Sequence, residues 1–272
     1  GTGEVLYARN ADRHRYPASL TKMMTIYLTF EALEAGELTL DQPLIISKYA
    51  ARQPASRLGL GAGQTITVEE AVLALVTKSA NDVAAALAEA LGGTERKFAF
   101  EMTRAARALG MKRTRFRNAS GLPNRRQRST ARDLSILARA LIHDFPQYYH
   151  YFSTESFTFN GQTYKSHNRL LRSVPGADGL KTGYISASGF NVATSVQRGQ
   201  TRLVGIVMGG KSARSRDKEM RRLLELTFER LDDQQRDLHP PPKRKPRGTR
   251  TALAGPELPT APRISTLDVD VV

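Results

Sequence analysis

Apolar positions recur at helical spacing through most of the first 143 residues. The first such stretch opens at Pro17-Ala18-Ser19, runs to about Leu33 and is closed by Gly36. A proline at the start and a glycine past the end are typical of a helix. Three further stretches with this pattern cover residues 68–91, 95–110 and 130–143. The middle of the chain is therefore predicted to be mostly helical.

The pattern changes to alternation after Tyr151. Asn160-Gly161 lies between two short apolar runs and predicts a two-residue hairpin turn. Strands are predicted at Gly3–Ala8, Gly179–Tyr184, Phe190–Gln197 and Arg202–Met208, and a charged amphipathic helix at Ser212–Leu231. We expect the first strand to join the later ones in one antiparallel sheet, with the helical middle as an inserted lobe. The predicted class is α/β, and the cleft between the lobes is the natural reaction site.

The C-terminal stretch has a different composition. Residues 239–262 are rich in Pro, Lys and Arg and cannot bury enough apolar surface to fold alone. We predict one domain over residues 1–231 and a disordered tail over residues 232–272. No apolar run is long enough to span a membrane, and a chain that begins with Gly1 is expected to be a processed or trimmed product.

The charge and the missing cysteines narrow the chemistry. The net charge is +15, and residues 232–272 contribute only +1 of it, from seven Lys or Arg against six Asp or Glu. Nine Lys or Arg and no acid occur between Arg104 and Arg128. A basic run of this kind attracts polyanions such as nucleic acid, anionic lipid or an acidic cell-wall polymer, so an anionic cell-envelope surface is one candidate partner and a solvated basic face is the alternative. No nucleic-acid-binding signature accompanies the run. The absence of cysteine excludes disulfides, thiolate zinc sites and a cysteine nucleophile.

Three short motifs carry candidate chemistry: Ser19-Leu20-Thr21-Lys22, Ser79-Ala80-Asn81 and Lys181-Thr182-Gly183. Residues three apart on a helix share a face, so Lys22 can take the proton of a nucleophilic Ser19. Lysine is a base only when burial and a nearby cation lower its pKa, and Lys181 from the other lobe is the expected cation.

The other motif residues have expected supporting roles. Ser79 can relay a proton to a leaving group, and Asn81 can orient the base and bond the substrate amide. Lys181 and Thr182 suit a terminal carboxylate, while Gly183 leaves room where a substrate must lie close. Each motif alone is weak evidence, since Ser-x-x-Lys recurs at residues 215–218 and Ser-x-Asn at residues 166–168. The order of the motifs and their predicted settings are what favour this chemistry.

The chain resembles the low-molecular-mass penicillin-binding proteins of peptidase family S11, the D-alanyl-D-alanine carboxypeptidases, over roughly residues 3–231. The resemblance is carried by residues 16–25, 78–84, 118–123 and 178–184. It implies a DD-peptidase/β-lactamase-like fold and an acyl-enzyme on Ser19, formed as the terminal D-alanine of a peptidoglycan stem peptide leaves. It also implies acylation by β-lactam antibiotics, no cofactor, no metal, and a periplasmic or extracytoplasmic place in the cell envelope.

The same resemblance assigns roles to single residues. It implies that Lys22 accepts the proton, that Ser79 shuttles it and that Lys181 binds the substrate. The oxyanion hole in such enzymes uses the amides of the nucleophile and of the residue after Lys-Thr-Gly, here Tyr184. Arg169 resembles an arginine that helps hold the substrate carboxylate, with a structural surface arginine as the alternative. Many relatives add a β-rich domain and a membrane-binding helix that residues 232–272 do not supply, so membrane attachment stays open.

Four other classes of protein fit the sequence less well. A class A β-lactamase needs a glutamate in a Glu-Pro-x-x-Asn setting between the second and third motifs, and the chain has none there, so slow release of β-lactams is expected. A non-enzymatic cell-wall binder would not need the complete set of motifs. A Ser-His-Asp hydrolase and a zinc peptidase lack their signatures, and the five histidines are interpreted as surface or packing residues. The motifs leave carboxypeptidase, endopeptidase and transpeptidase reactions open.

Overall fold

A computed structural model describes residues 3–238 and 270–271. Its helices are α1 (Lys22–Glu34), α2 (Lys48–Ala51), α3 (Val68–Val76), α4 (Asn81–Gly92), α5 (Glu95–Ala108), α6 (Ala131–Asp144), α7 (Leu170–Ser173) and α8 (Ala213–Leu238). Two 3-10 helices cover Ala18–Thr21 and Tyr149–Ser153. Its strands are β1 (Pro43–Ile45), β2 (Thr65–Thr67), β3 (Ser156–Phe159), β4 (Gln162–Lys165), β5 (Ala177–Ile185), β6 (Gly189–Arg198), β7 (Thr201–Gly210) and β8 (Asp270–Val271).

The main sheet is antiparallel with strand order β5-β6-β7-β8, and it separates two apolar clusters. On β7, Leu203 and Val207 pack towards α8, while Ile206 and Met208 face the larger core of the helical lobe. This is the period of two that a strand imposes on its side chains. The expected architecture, an antiparallel sheet flanked by helices with an inserted helical lobe, is confirmed.

Helix α1 runs through the larger core and fixes the position of the first motif. Its buried side chains include Met23, Met24, Ile26 and Phe30, which point in several directions around the helix. A helix that is apolar on most sides is stable only when other elements surround it. The segment that carries Ser19 and Lys22 is therefore anchored in the larger core.

The stretch predicted as one helix over residues 68–91 is two helices. α3 ends at Val76, α4 begins at Asn81, and the backbone of Ser79 between them has a φ of 61°. A left-handed backbone cannot continue a right-handed helix, so the helix is interrupted at this residue. The interruption places the second motif at the start of a helix and on a connection that faces the groove.

The prediction of a strand at Gly3–Ala8 is wrong. The structure assigns no strand to these residues, and within its described ranges the outer partner of β7 is β8. Leu6 packs against the α8 side of the sheet, whereas Val5 and Tyr7 are 47% and 40% exposed. The alternation of apolar and polar residues therefore reflects packing of one side of this segment, without the hydrogen bonds that pair strands in a sheet.

A cavity of about 1060 Å³ lies between this segment, α6, β7 and α8, and no motif residue lines it.

The remaining local predictions are close to the structure. Asn160 and Gly161 have φ values of 48° and 75°, as the tight turn between β3 and β4 requires. The charged helix is longer than predicted, because α8 continues from Leu231 to Leu238 and enters the predicted tail. Residues 239–269, for which disorder was predicted, lie outside the described residues. No described helix is both long and apolar enough to cross a bilayer.

Candidate active site

Ser19 lies on the 3-10 helix that leads directly into α1, and Lys22 is the first residue of α1. Lys22 Nζ is 3.3 Å from Ser19 Oγ. The expected sharing of one helical face by residues three apart is therefore realised. Ala18 beside the serine has a φ of 49°, a strained backbone of the kind often found at functional sites.

The other neighbours of the Lys22 amine fit a neutral base. Nζ donates to Asn81 Oδ1 at 2.7 Å and to the Ser120 carbonyl oxygen at 2.7 Å. A neutral amine has two N–H groups and one lone pair, so these two acceptors use both of its hydrogens. The lone pair of the neutral amine then remains available to accept the proton of Ser19 Oγ, as a base requires.

Burial and charge both favour the neutral form of Lys22. Burial lowers its pKa well below the ordinary value, and the positive charge of Lys181 lowers it further, while Asp82 and Glu95 oppose the shift. Lys181 is 1% exposed on β5, and burial followed by the charge of Arg216 lowers its pKa to about 7. The structure thus brings together the two lysines predicted to act as a pair.

The second motif lies across from Ser19. The Asn81 side-chain amide also donates to the Pro54 carbonyl at 2.8 Å, and the backbone amide of Asn81 donates to the Ser56 carbonyl at 2.7 Å, so the residue is fixed at both its side chain and its backbone. Ser79 lines the same groove as Ser19, and within the described part of the chain its buried Oγ has no hydrogen-bond partner. An unsatisfied hydroxyl at this place is available to a bound molecule.

Two buried acids that the sequence did not single out hold the surrounding loops. Glu95 accepts from the Ala119 amide at 2.9 Å and from Tyr49 Oη at 2.5 Å, next to the Ser120 carbonyl that binds Lys22. Asp82 accepts from the amides of Leu58 and Gly59. Glu95 follows the N-cap Thr94 of α5, and Asp82 lies in the first turn of α4, so their positions at helix starts are the signal that sequence offers.

β5 passes close to the serine, and this proximity depends on glycine. A Cβ at Gly183 would lie 2.8 Å from the Ser19 amide nitrogen, so the strand could not approach with any larger residue. Thr182 lines the groove, and Tyr184 at its rim is 53% exposed and stacks on Phe190. The third motif therefore lies against the first, as predicted.

Gly121 also packs against the turn that carries Ser19. Its φ is +88°, and a Cβ at this position would overlap the Ala18 carbonyl. We expect Gly121→Ala to lower the free energy of unfolding by about 3 kcal/mol through strain and displacement, and to slow acylation because Ser19 moves. Gly161→Ala is the matched control, since Gly161 also has a positive φ but nothing within 4 Å of the added carbon. Equal loss of stability in both variants, measured by thermal unfolding, would contradict the close packing of Gly121 on the serine turn.

The groove between the lobes has a volume of about 490 Å³ and is cationic. Among the described residues that line it there is no Asp or Glu, while the cations are Lys165, Arg169, Arg172 and Arg216. Arg169 thus lines the groove, and its role towards a substrate carboxylate stays a prediction. Arg216 was missed, because it lies in the Ser-x-x-Lys repeat interpreted as surface. Only 4% of it is exposed, its partners are Asp217 and the Asn191 carbonyl, and it faces the groove from α8.

His167 also lines this groove, although the sequence analysis treated all histidines as surface or packing residues. Burial and the charges of Lys181, Lys78 and Lys22 lower its pKa to about 4. The imidazole is therefore neutral at pH 7 and adds no charge to the groove. Ser215 of the recurring motif instead bonds Ser212 at the start of α8, as expected of a surface residue.

The fold and the serine–lysine pair define the class of this site: a serine hydroxyl beside which lysine, rather than histidine, stands. The chain belongs to peptidase family S11, the D-alanyl-D-alanine carboxypeptidases, whose family model matches residues 1–212. The family and the fold inferred from the sequence are both confirmed.

Known relatives and structures agree with this assignment. The D-alanyl-D-alanine carboxypeptidase DacD of Escherichia coli K12 is 39% identical over 82% of this chain and 59% of its own length, and DacF of Bacillus subtilis 168 is 32% identical over 85% and 60%. The chain thus spans about three fifths of these relatives. Penicillin binding protein 6B of E. coli superposes with a TM-score of 0.78 at 38% identity, covering 82% of this chain and 72% of that one. Penicillin-binding protein D2 of Listeria monocytogenes in its ampicillin-bound form gives 0.72 at 35% identity, covering 83% and 92%.

Proposed function

We propose that this protein is a serine-type D-alanyl-D-alanine carboxypeptidase of the cell wall. The observation that carries the proposal is the buried Lys22 amine, which lies 3.3 Å from Ser19 Oγ while two other acceptors take its hydrogens. Its substrate is a peptidoglycan stem peptide that ends in D-alanyl-D-alanine, and penicillins acylate the same serine. Family membership and the ampicillin-bound relative support this reading.

In the acylation step Lys22 takes the proton of Ser19 as Oγ attacks the carbonyl carbon of the terminal peptide bond. In this proposal the amides of Ser19 and Tyr184 stabilise the developing oxyanion, and the close approach of β5 to the Ser19 amide supports that assignment. The proton then passes from Lys22 through the Ser79 hydroxyl to the departing amine of D-alanine. The acyl group remains on Ser19, so bonds and protons balance.

Substrate binding in this proposal relies on the buried Lys181 and on the cations that line the groove. The peptide ends in a carboxylate, and Lys181 with Thr182 offers it a charge-assisted hydrogen bond. Arg169 and Arg216 line the same groove and add positive potential. Asn81 holds the substrate amide as well as the base. A carboxylate near Lys181 favours the protonated amine, so substrate binding raises the pKa of Lys181 above its value in the free enzyme.

The alternative of a class A β-lactamase has less support. Such an enzyme needs a carboxylate beside the acyl-enzyme to activate water, and no Asp or Glu is among the described residues that line the groove. Glu95, a buried acid whose charge acts on Lys22, is bonded to Ala119 and Tyr49. Slow hydrolysis of a penicilloyl adduct is therefore part of this proposal. Removal of the terminal D-alanine by water, rather than peptide transfer, is the reaction we assign.

The arrangement of the chain and its place in the cell are also proposed. Residues 1–231 form the peptidase domain, and residues 232–272 form a tail that begins on the last turns of α8. The enzyme works in the cell envelope, outside the cytoplasm, where its substrate is. The basic run from Arg104 to Arg128 meets an anionic surface of that envelope.

We expect benzylpenicillin to form a long-lived adduct on the peptide that contains Ser19, and Ser19→Ala to abolish it. Peptide mass spectrometry locates the adduct, and its decay measures deacylation. Ser215→Ala is the matched control, because it alters the serine of the recurring Ser-x-x-Lys motif on α8. An adduct that decays within seconds would favour a β-lactamase, and no release of D-alanine from a stem-peptide mimic would leave only a penicillin binder.

A further inference from the structure

The basic run is part of a wider surface that includes helix α5. Its exposed cations come from α5 and from the loop that follows, and we call this surface the arginine face: Arg96, Lys97, Arg104, Arg107, Lys112, Arg113, Arg115, Arg125 and Arg126. Among the described residues one ion pair forms there, between Arg104 and Glu101 at 2.6 Å. The arginine face is therefore almost uncompensated by carboxylates of the same chain.

The cations are crowded by the backbone. Arg115 and Arg128 pair as an isolated antiparallel bridge, with hydrogen bonds of 2.8 and 3.1 Å, which holds two arginine-rich segments side by side. Burial and then the charges of Arg115, Arg126 and Arg96 lower the pKa of Arg117. Like charges from three segments thus repel one another across a short distance. A bound anionic surface would relieve that repulsion.

An apolar side chain lies among these charges. Phe100 is 71% exposed, the highest value among the large apolar side chains that the structure describes. Arg96 and Arg104 are four residues away on either side along α5, so both share its face. The opposite face of α5 packs Phe98 and Met102 into the core. Phe100 is therefore presented outwards by a helix that is firmly attached to the domain.

An aromatic ring among guanidinium groups suits the surface of an anionic bilayer better than it suits a hydrophilic polyanion. At a bilayer surface the guanidiniums contact lipid phosphates while the ring enters the boundary of the acyl chains. A hydrophilic polyanion such as a wall polymer gains from the cations but buries the ring less well. The face also borders the reaction groove, because Gly121 and Leu122 line the groove and Arg125 and Arg126 follow in the same loop.

We propose that the arginine face docks this enzyme on an anionic phospholipid bilayer, with Phe100 inserted among the lipids. This proposal makes specific the partner suggested above for the basic run, and it is independent of the chemistry at Ser19. Docking in this way holds the groove beside the membrane surface.

The test is flotation of the full chain with vesicles. We expect binding to vesicles of phosphatidylcholine with phosphatidylglycerol, weakening as salt rises, and little binding to phosphatidylcholine alone. The double variant Arg115→Glu/Arg126→Glu should lower the affinity on the order of 100-fold, and Phe100→Ser on the order of 10-fold. Lys218→Glu/Arg230→Glu changes the net charge equally at exposed positions of α8 and should bind almost as the parent does. The tail is unchanged in all of these variants.

Three results would overturn the proposal. One is equal binding to neutral and anionic vesicles, and another is equal loss in the α8 control and in the arginine-face variant. The third is unchanged vesicle binding by Phe100→Ser together with loss of binding to isolated wall polymer by the double variant, which would assign the face to a polymer. The rate of Ser19 acylation by a fluorescent penicillin is measured on every variant. A normal rate shows that the variant is folded and separates failure of docking from failure of the proposed function.

Discussion

Replacing Lys22 by methionine should slow acylation of Ser19 by benzylpenicillin by on the order of 10³-fold. Methionine keeps the length of the side chain in this fully buried place but removes the lone pair that faces Ser19 Oγ at 3.3 Å. No other described group bonded to this amine is a base, since Asn81 and Ser120 offer a side-chain amide and a backbone carbonyl. Stopped-flow or gel-based measurement of adduct formation gives the rate.

Folding has to be separated from chemistry in this variant. The change leaves the Asn81 Oδ1 and Ser120 carbonyl acceptors without their donor, which costs about 1–3 kcal/mol for each buried group, although burying methionine costs less than burying an amine. Thermal unfolding measures the balance. Lys218→Met, an exposed lysine on α8, is the control and should acylate normally. A folded Lys22→Met protein that acylates at the parent rate would show that another group accepts the proton.

The contacts that follow directly from spacing were predictable from the sequence. Ser19 and Lys22 are three residues apart, and the helical period alone makes them neighbours. The turn at Asn160-Gly161 likewise follows from local backbone preference. The family resemblance then supplied what spacing does not, namely that residues 159 positions apart, Lys22 and Lys181, belong to one site. Their electrostatic coupling in the structure agrees with that expectation.

Features that depend on tertiary contacts were not predictable. The break at residues 77–80 has no Gly or Pro to announce it, and the strained backbone of Ser79 is held by the surrounding packing. Gly3–Ala8 alternates as a strand does, but pairing depends on a free strand edge in the right place. Arg216 and Glu95 are common surface residue types, and only the fold shows that they are buried beside the groove and the lysine network. Sequence pattern thus locates the reacting atoms better than the groups that hold them.

Replacing Lys181 by methionine should change both the rate of the reaction and its pH dependence. Loss of a charge-assisted bond to the substrate carboxylate costs about 1.5–3 kcal/mol, which corresponds to a decrease in kcat/KM of roughly 10- to 100-fold. The positive charge of Lys181 helps to lower the pKa of Lys22, so its removal raises that pKa. Lys22 must be neutral to act, and the acidic limb of the kcat/KM profile therefore moves to higher pH. The alkaline limb, on which Lys181 with its pKa of about 7 in the free enzyme loses its proton, should disappear.

The two effects distinguish electrostatic coupling from simple damage to the site. A misfolded or displaced strand would lower kcat/KM at every pH without moving the acidic limb, whereas coupling between the lysines requires the shift because Lys181 is a cause of the lowered pKa of Lys22. Lys211→Met removes an exposed charge between β7 and α8 and should leave both limbs in place. An acidic limb that stays in place in Lys181→Met would mean that burial alone keeps Lys22 neutral, and Lys181 would then act on the substrate carboxylate only.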